Sequence, residues 1–135
     1  MRTHVEFRSD AFPAEPGEEE KINPGRWGAA LARFLRRELA LQGFIVKEPY
    51  TEDWGYAIEI ENPAFNLWIG CGNYEEYPDG FLCFIVPDKP FVWKRFRRIN
   101  TTERLNALAN ALETALRKHP AVHDLRWWPH AKHRD

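Results

Sequence analysis

Cysteine is almost missing from this chain: 135 residues contain two, Cys71 and Cys83. Two thiols are too few for a disulfide framework and lack the Cys/His spacing of a structural zinc site, so both are expected to be reduced. Long apolar runs are missing as well. The longest are short and interrupted, far below the roughly 20 residues a membrane span needs, and no apolar signal core follows Met1-Arg2-Thr3-His4. The expectation is a soluble, cytoplasmic protein with no membrane partner. Net charge is nearly absent too, with 19 Lys and Arg against 20 Asp and Glu, which gives no overall pull toward nucleic acid. The five histidines, His4, His119, His123, His130 and His133, include no H-x-x-x-H pair, so neither a metal nor a cofactor is expected. There is no Walker A motif and no G-x-S-x-G elbow, and Gly70-Cys71-Gly72 is not G-x-G-x-x-G. No catalytic residue is assigned.

What is present is apolar and aromatic material, 44% and 14% of the residues, enough for one domain over 1–135 with one core. Thr3 to Arg8 alternates polar and apolar residues and predicts an opening strand. Asp10 to Lys21, with Pro13, Pro16, Gly17 and Glu18-Glu19-Glu20, predicts a solvated loop. Asn23-Pro24 predicts a helix start and Gly43 its stop, with Trp27, Ala30, Leu31, Phe34, Leu35 and Leu39 as the apolar stripe. Phe44-Ile45-Val46 reads as a strand, Glu48 to Asp53 as a loop and Trp54 to Glu61 as an alternating strand. Asp88 to Ile99 is a basic and aromatic connection. Asn100 or Thr101 starts a second helix, with Leu105, Leu108, Ala109, Leu112 and Leu116 on one side and Pro120 beyond its end. Val122 to Trp128 reads as a closing strand and 128–135 as a frayed tail. The order β-α-β-β-β-β-α-β predicts an α+β fold, a mainly antiparallel sheet of five or six strands with two helices on one face.

The centre of the chain is the hairpin from Phe65 to Pro87. Tyr77-Pro78-Asp79-Gly80 fits a type I turn with left-handed Gly80, which alone would pair Tyr77 with Phe81. The hydrophobic pattern instead places Cys71 opposite Cys83, Ile69 opposite Ile85 and Trp68 opposite Val86, and both registers keep each side chain on the same face. Ile60 is expected opposite Phe65 and Ile58 opposite Leu67. One face then carries Tyr56, Ile58, Ile60, Phe65, Leu67, Ile69, Cys71, Phe81, Cys83 and Ile85 as core. The other collects Trp68, Phe84 and Val86 around Gly55, Gly70 and Gly72, a pattern that predicts a close approach to the backbone. Either a neighbouring ring or residues 88–99 fill that slot, or it is a shallow groove for a partner.

Acidic residues gather beside those rings. Asp53, Trp54, Trp68, Tyr74, Glu75, Glu76, Tyr77, Asp79 and Phe84 make an acidic and aromatic surface suited to a basic protein partner, because rings anchor and carboxylates steer. Two other readings are open: a glycosidase-like hydrolase using two of Asp53, Glu59, Glu75 and Asp79, and a nucleic-acid module using Trp93 to Arg98. In a neutral chain such a basic segment is expected to cover acids of its own, Glu18-Glu19-Glu20 or the hairpin loop. At E-D-W-G (Glu52 to Gly55) and W-I-G-C-G-N-Y-E-E-Y-P-D-G (Trp68 to Gly80) the chain resembles small, uncharacterised bacterial single-domain proteins. In style it is similar to immunity proteins that neutralise toxins, which implies a non-enzymatic interaction domain.

Overall fold

In a computed structural model that describes residues 1–74 and 77–128, the elements follow as β1 (His4–Arg8), α1 (Glu18–Lys21), α2 (Ala29–Leu41), β2 (Tyr50–Glu52), β3 (Gly55–Ile60), β4 (Leu67–Asn73), β5 (Gly80–Val86), β6 (Phe91–Lys94), β7 (Arg97–Asn100), α3 (Thr102–Lys118) and β8 (His123–Trp128). Six strands form one antiparallel sheet in the order β2-β3-β4-β5-β1-β8, and β6 and β7 pair only with each other. Both long helices cover one face, as the α+β reading expects. Glu75 and Glu76 and the tail from 129 lie outside the described residues.

Two-residue periodicity sets the sheet. In β4 and β5, Cys71 stands opposite Cys83, Ile69 opposite Ile85 and Trp68 opposite Val86, the register that the hydrophobic pattern prefers over the one from turn chemistry. The turn at 77–80 closes through Gly80 N–H donating to the Tyr77 carbonyl at 3.1 Å, but Gly80 is not among the left-handed residues, and Tyr77 does not pair with Phe81. β3 pairs with β4 two residues further along than expected, Ile60 facing Leu67 and Ile58 facing Ile69. The connection is wider because the Asn62 amide donates to the Phe65 carbonyl at 3.0 Å, and an even shift leaves every side chain on its expected face.

Four boundaries differ from expectation, the first being the expected loop of 10–21, which contains the short helix α1 and buries Phe12 in the core. Phe44 to Val46 makes only an isolated bridge, Val46 to Ile60, and the edge strand is β2, inside the expected loop. Pro49 interrupts this edge because it has no N–H for the ladder. The first long helix starts at Ala29, not at Asn23-Pro24, because Asn23 sends its amide to the Asp53 carbonyl (2.8 Å) instead of capping. The cap comes from Glu18, which the sequence places in a solvated run and the fold buries to 3% exposure. Its carboxylate accepts from Gly28 N–H and Ala29 N–H, both at 2.7 Å, and from Glu15 N–H at 2.9 Å. These satisfy amides that the helix itself leaves open.

α2 ends as expected. Phe44 N–H reaches the Leu39 carbonyl and Gly43 N–H the Ala40 carbonyl, with Gly43 at φ 93, a Schellman closure. α3 starts where Asn100 accepts from Thr102 N–H at 2.8 Å, and its stripe of Leu105, Leu108, Ala109, Leu112 and Leu116 is at most 1% exposed. Burying each such leucine is worth about 1.5–3 kcal/mol. With Val5, Phe7, Leu31, Leu35, Leu39, Ile58, Ile69 and Ile85 they form one continuous core between helices and sheet.

Candidate functional site

The sheet face away from the helices takes the alternate residues: His4, Glu6 and Arg8 of β1, Leu82, Phe84 and Val86 of β5, Trp68, Gly70 and Gly72 of β4, and Ala57 and Glu59 of β3. Its centre is a cluster of rings. Phe84 lies 5.1 Å from Trp54, 5.8 Å from Trp68 and 5.6 Å from His4, the last pair stacked, and Trp54 stacks on Trp68 at 6.2 Å. His4 also meets Trp128 edge-on at 6.0 Å.

The glycines beneath have identifiable occupants. A Cβ on Gly70 would lie 2.6 and 2.7 Å from the Phe84 ring, so the Phe84 side chain fills that slot. A Cβ on Gly72 would lie 2.8 Å from the Trp54 carbonyl and 3.6 Å from the Trp27 carbonyl. The chain's own backbone fills the second slot. Asn73 holds the loop there: it accepts from Trp27 N–H at 2.9 Å and donates to the Gly25 carbonyl at 2.8 Å. Residues 88–99 do not cover this face. Val92, Trp93 and Lys94 approach it, lining a recess of about 310 Å³ with Trp68 and Val86.

The predicted acidic and aromatic set therefore divides. Trp54, Trp68 and Phe84 come together, and Glu52 and Asp53 stand exposed beside Trp54. Neither carboxylate forms an ion pair among the described residues. Tyr74 and Tyr77 instead line a cleft of about 500 Å³ with Glu6, Arg8, Asp124 and Arg126. There Asp79 pairs with Arg8 at 2.8 Å, and Arg8 lies 4.4 Å over the Tyr77 ring. The Arg8 hydrogen bond holds the Asp79 carboxyl below its ordinary range. In the cleft wall Glu6 pairs with Arg126, and Asp124 lies 2.8 Å from the His123 ring nitrogen Nδ1. Glu75 and Glu76 fall outside the described residues. Arg8, His4 and Trp128, which complete this face, have no sequence signal beyond the alternation of the terminal strands.

A carboxylate pair of the glycosidase kind needs one acid with a raised pKa. Asp79 shifts the other way, Glu59 pairs with Lys47 at 3.5 Å, and Asp53 is exposed. Among the described residues no three His, Cys, Asp or Glu side chains gather to hold a metal ion, and no helix is long and apolar enough to cross a membrane.

Cys71 and Cys83 face each other within the core, both fully buried. Burial pushes the Cys71 thiol up to about 12, the nearby Glu18 charge adding to it, and pushes Cys83 well above its ordinary value. A rise from 9.0 to about 12 lowers the thiolate population about a thousandfold. Iodoacetamide at pH 8 is expected to leave both thiols unlabelled in the native protein and to label both in guanidinium. Rapid native labelling of Cys71 would restore it as a nucleophile.

No known protein family, curated protein or solved structure matches the chain.

Proposed function

We propose that the protein is a non-enzymatic interaction domain, of immunity type, that engages a basic protein partner through the face away from its helices. The observation that carries this reading is the half-buried cluster of Trp54, Trp68 and Phe84 bordered by the uncompensated carboxylates of Glu52 and Asp53. Rings held in place by one another lose little freedom on binding, and large aromatic anchors dominate interface energetics. Carboxylates at the rim raise the rate of encounter with a cationic surface and select against acidic ones. Immunity-type action needs no more chemistry than this, since covering a partner's functional surface is sufficient.

The test is capture of the partner from the native host, followed by titration of the purified pair. Trp68→Ala is expected to weaken the complex thirtyfold or more, the effect of one hot-spot residue. Glu52→Gln with Asp53→Asn is expected to slow association and flatten its salt dependence, with little change in dissociation. Unchanged affinity in both variants, or an acidic captured partner, would remove this face from the proposal.

A further inference from the structure

We infer that the β6–β7 hairpin is a binding element for single-stranded nucleic acid. The hairpin adjoins the proposed protein-binding face across the recess between Trp93 and Trp68 but shares none of its assigned residues. The hairpin base is fixed: Val92 and Ile99 pack against the core, Thr101 N–H donates to the Pro90 carbonyl at 2.9 Å, and the Thr101 hydroxyl donates to the Lys89 carbonyl. Beyond that base the hairpin carries four cations, Lys94, Arg95, Arg97 and Arg98, and two of the most exposed rings of the chain, Trp93 at 68% and Phe96 at 103%.

None of the four cations forms an ion pair among the described residues, so the expectation that this segment covers acids of its own chain does not hold there. Glu18 is occupied with the α2 amides, and Glu19 accepts from Gly25 N–H at 2.6 Å. The charge of the hairpin is left for something outside the fold.

The arrangement of rings and charges selects the ligand class. Trp93 pairs with Arg98 and Phe91 with Asn100, so Phe91, Trp93 and Arg98 share the side opposite Val92 and Ile99. Arg98 lies 4.0 Å over the Phe91 ring, and Trp93 meets Phe91 edge-on at 6.4 Å. The result is a platform of ring and guanidinium planes along one side, with Lys94 and Arg97 on the other. Unpaired bases stack on such planes while phosphates meet the cations. Bases inside a duplex are not available to stack. A bilayer takes apolar groups at a leading end, whereas Phe96 at this tip is flanked by Arg95 and Arg97. An acidic protein can anchor on the same rings, so the poly-glutamate arm of the experiment separates it from nucleic acid.

The tip is also held against its own preference. Arg95 at φ 52 and Phe96 at φ 64 occupy the two left-handed positions of a tight hairpin turn, where Asn-Gly is favoured and a bulky residue is strained. Stability alone does not account for Arg95 and Phe96 there, and strain of this kind concentrates at ligand contacts.

The experiment is fluorescence anisotropy of the full chain with labelled 12-nucleotide oligo-U and oligo-dT, alongside poly-glutamate and vesicles containing phosphatidylserine. Three phosphate contacts, from Lys94, Arg95 and Arg97, give a log–log salt slope of about −2, so raising salt fourfold is expected to weaken binding about twentyfold. Arg95→Gln with Arg97→Gln and Arg98→Gln is expected to reduce that slope to about −1. Trp93→Ala is expected to weaken binding five- to a hundredfold through lost stacking. Arg95→Asn with Phe96→Gly relieves the strain, so this variant is expected to melt no lower than wild type while binding at least fivefold more weakly. No oligonucleotide binding at low salt overturns the inference. So does equal affinity for poly-glutamate, which has no bases, or vesicle binding lost in these variants without oligonucleotide binding. Unaltered oligonucleotide affinity in the folded Arg95→Asn with Phe96→Gly variant would remove the tip from the site.

Discussion

Gly55→Ala is expected to lower the unfolding free energy by about 3 kcal/mol or more, measured by guanidinium or thermal unfolding. Two effects act together. Gly55 sits at φ 154, a region that side-chain-bearing residues rarely adopt, and a Cβ there would fall less than 3.0 Å from the Cys71 carbonyl oxygen and 3.2 Å from the Gly72 Cα. Both obstacles are backbone of the central strand β4, which cannot yield without breaking its pairing with β3 and β5. Gly43→Ala is the control, because Gly43 is left-handed at φ 93 with open space around it. It should cost about 1 kcal/mol, from the conformation alone. Equal losses at the two positions would show that close approach to β4 contributes nothing.

Glu18→Ala is the second large effect, an expected loss of about 3–5 kcal/mol and a drop of about 10–20 °C in melting temperature. The substitution strips acceptors from the amides of Glu15, Gly28 and Ala29 at a site where Glu18 is only 3% exposed. It also takes a partner from the Tyr56 hydroxyl, whose pKa is raised first by burial and then by the Glu18 charge. Glu18→Gln is expected to fall between, since an amide offers one acceptor oxygen where three amides and the Tyr56 hydroxyl converge. Tyr56 supplies a second readout: without the Glu18 charge its ionisation should move down toward the ordinary value, followed by ultraviolet titration. A loss below about 1 kcal/mol for Glu18→Ala would mean that water satisfies these amides and that Glu18 is not the cap of α2.

The same two residues mark what could be read along the chain. Gly55, Gly70 and Gly72 announce a close approach because glycine inside a strand costs stability, and that cost is local and visible. What approaches is not local: Phe84 over Gly70, and the Trp54 and Trp27 carbonyls over Gly72. Glu18 looks like the first member of a solvated acidic run because its amide partners at 28 and 29 lie ten and eleven residues away. Asn23-Pro24 carries a valid start signal for a helix, yet Asn23 is taken by Asp53 across the fold and the helix begins five residues later. Local capping chemistry lost to a tertiary hydrogen bond.

For the binding surfaces, Trp68 and Phe84 were legible as a pair because strand alternation puts them on one face, whereas the same alternation puts Trp54 with Tyr56 on the core side. Trp54 reaches the pair only because it stands ahead of β3, outside the strand. Asp79 was legible as an acid but not as the partner of Arg8, 71 residues away. The 88–99 segment was legible only as basic and aromatic. Its hairpin escapes notice because Arg95-Phe96 lacks the Asn-Gly signature of the turn it forms.

The amino-acid order by itself determined the α+β class, both helix stripes and the core and outer sides of β4 and β5. These follow from periodicities of 2 and 3.6 residues, which any short segment expresses. The choice between two β4–β5 registers fell to the fold. Only the tertiary structure decided which outer residues stay charged and free. An ion pair or a cap forms between groups distant in sequence, and that distance is closed by burial of the common core. Folding therefore pairs the ionised Asp79 with Arg8 and buries Glu18, and it leaves Glu52, Asp53 and the cations of the β6–β7 hairpin without ion-pair partners among the described residues.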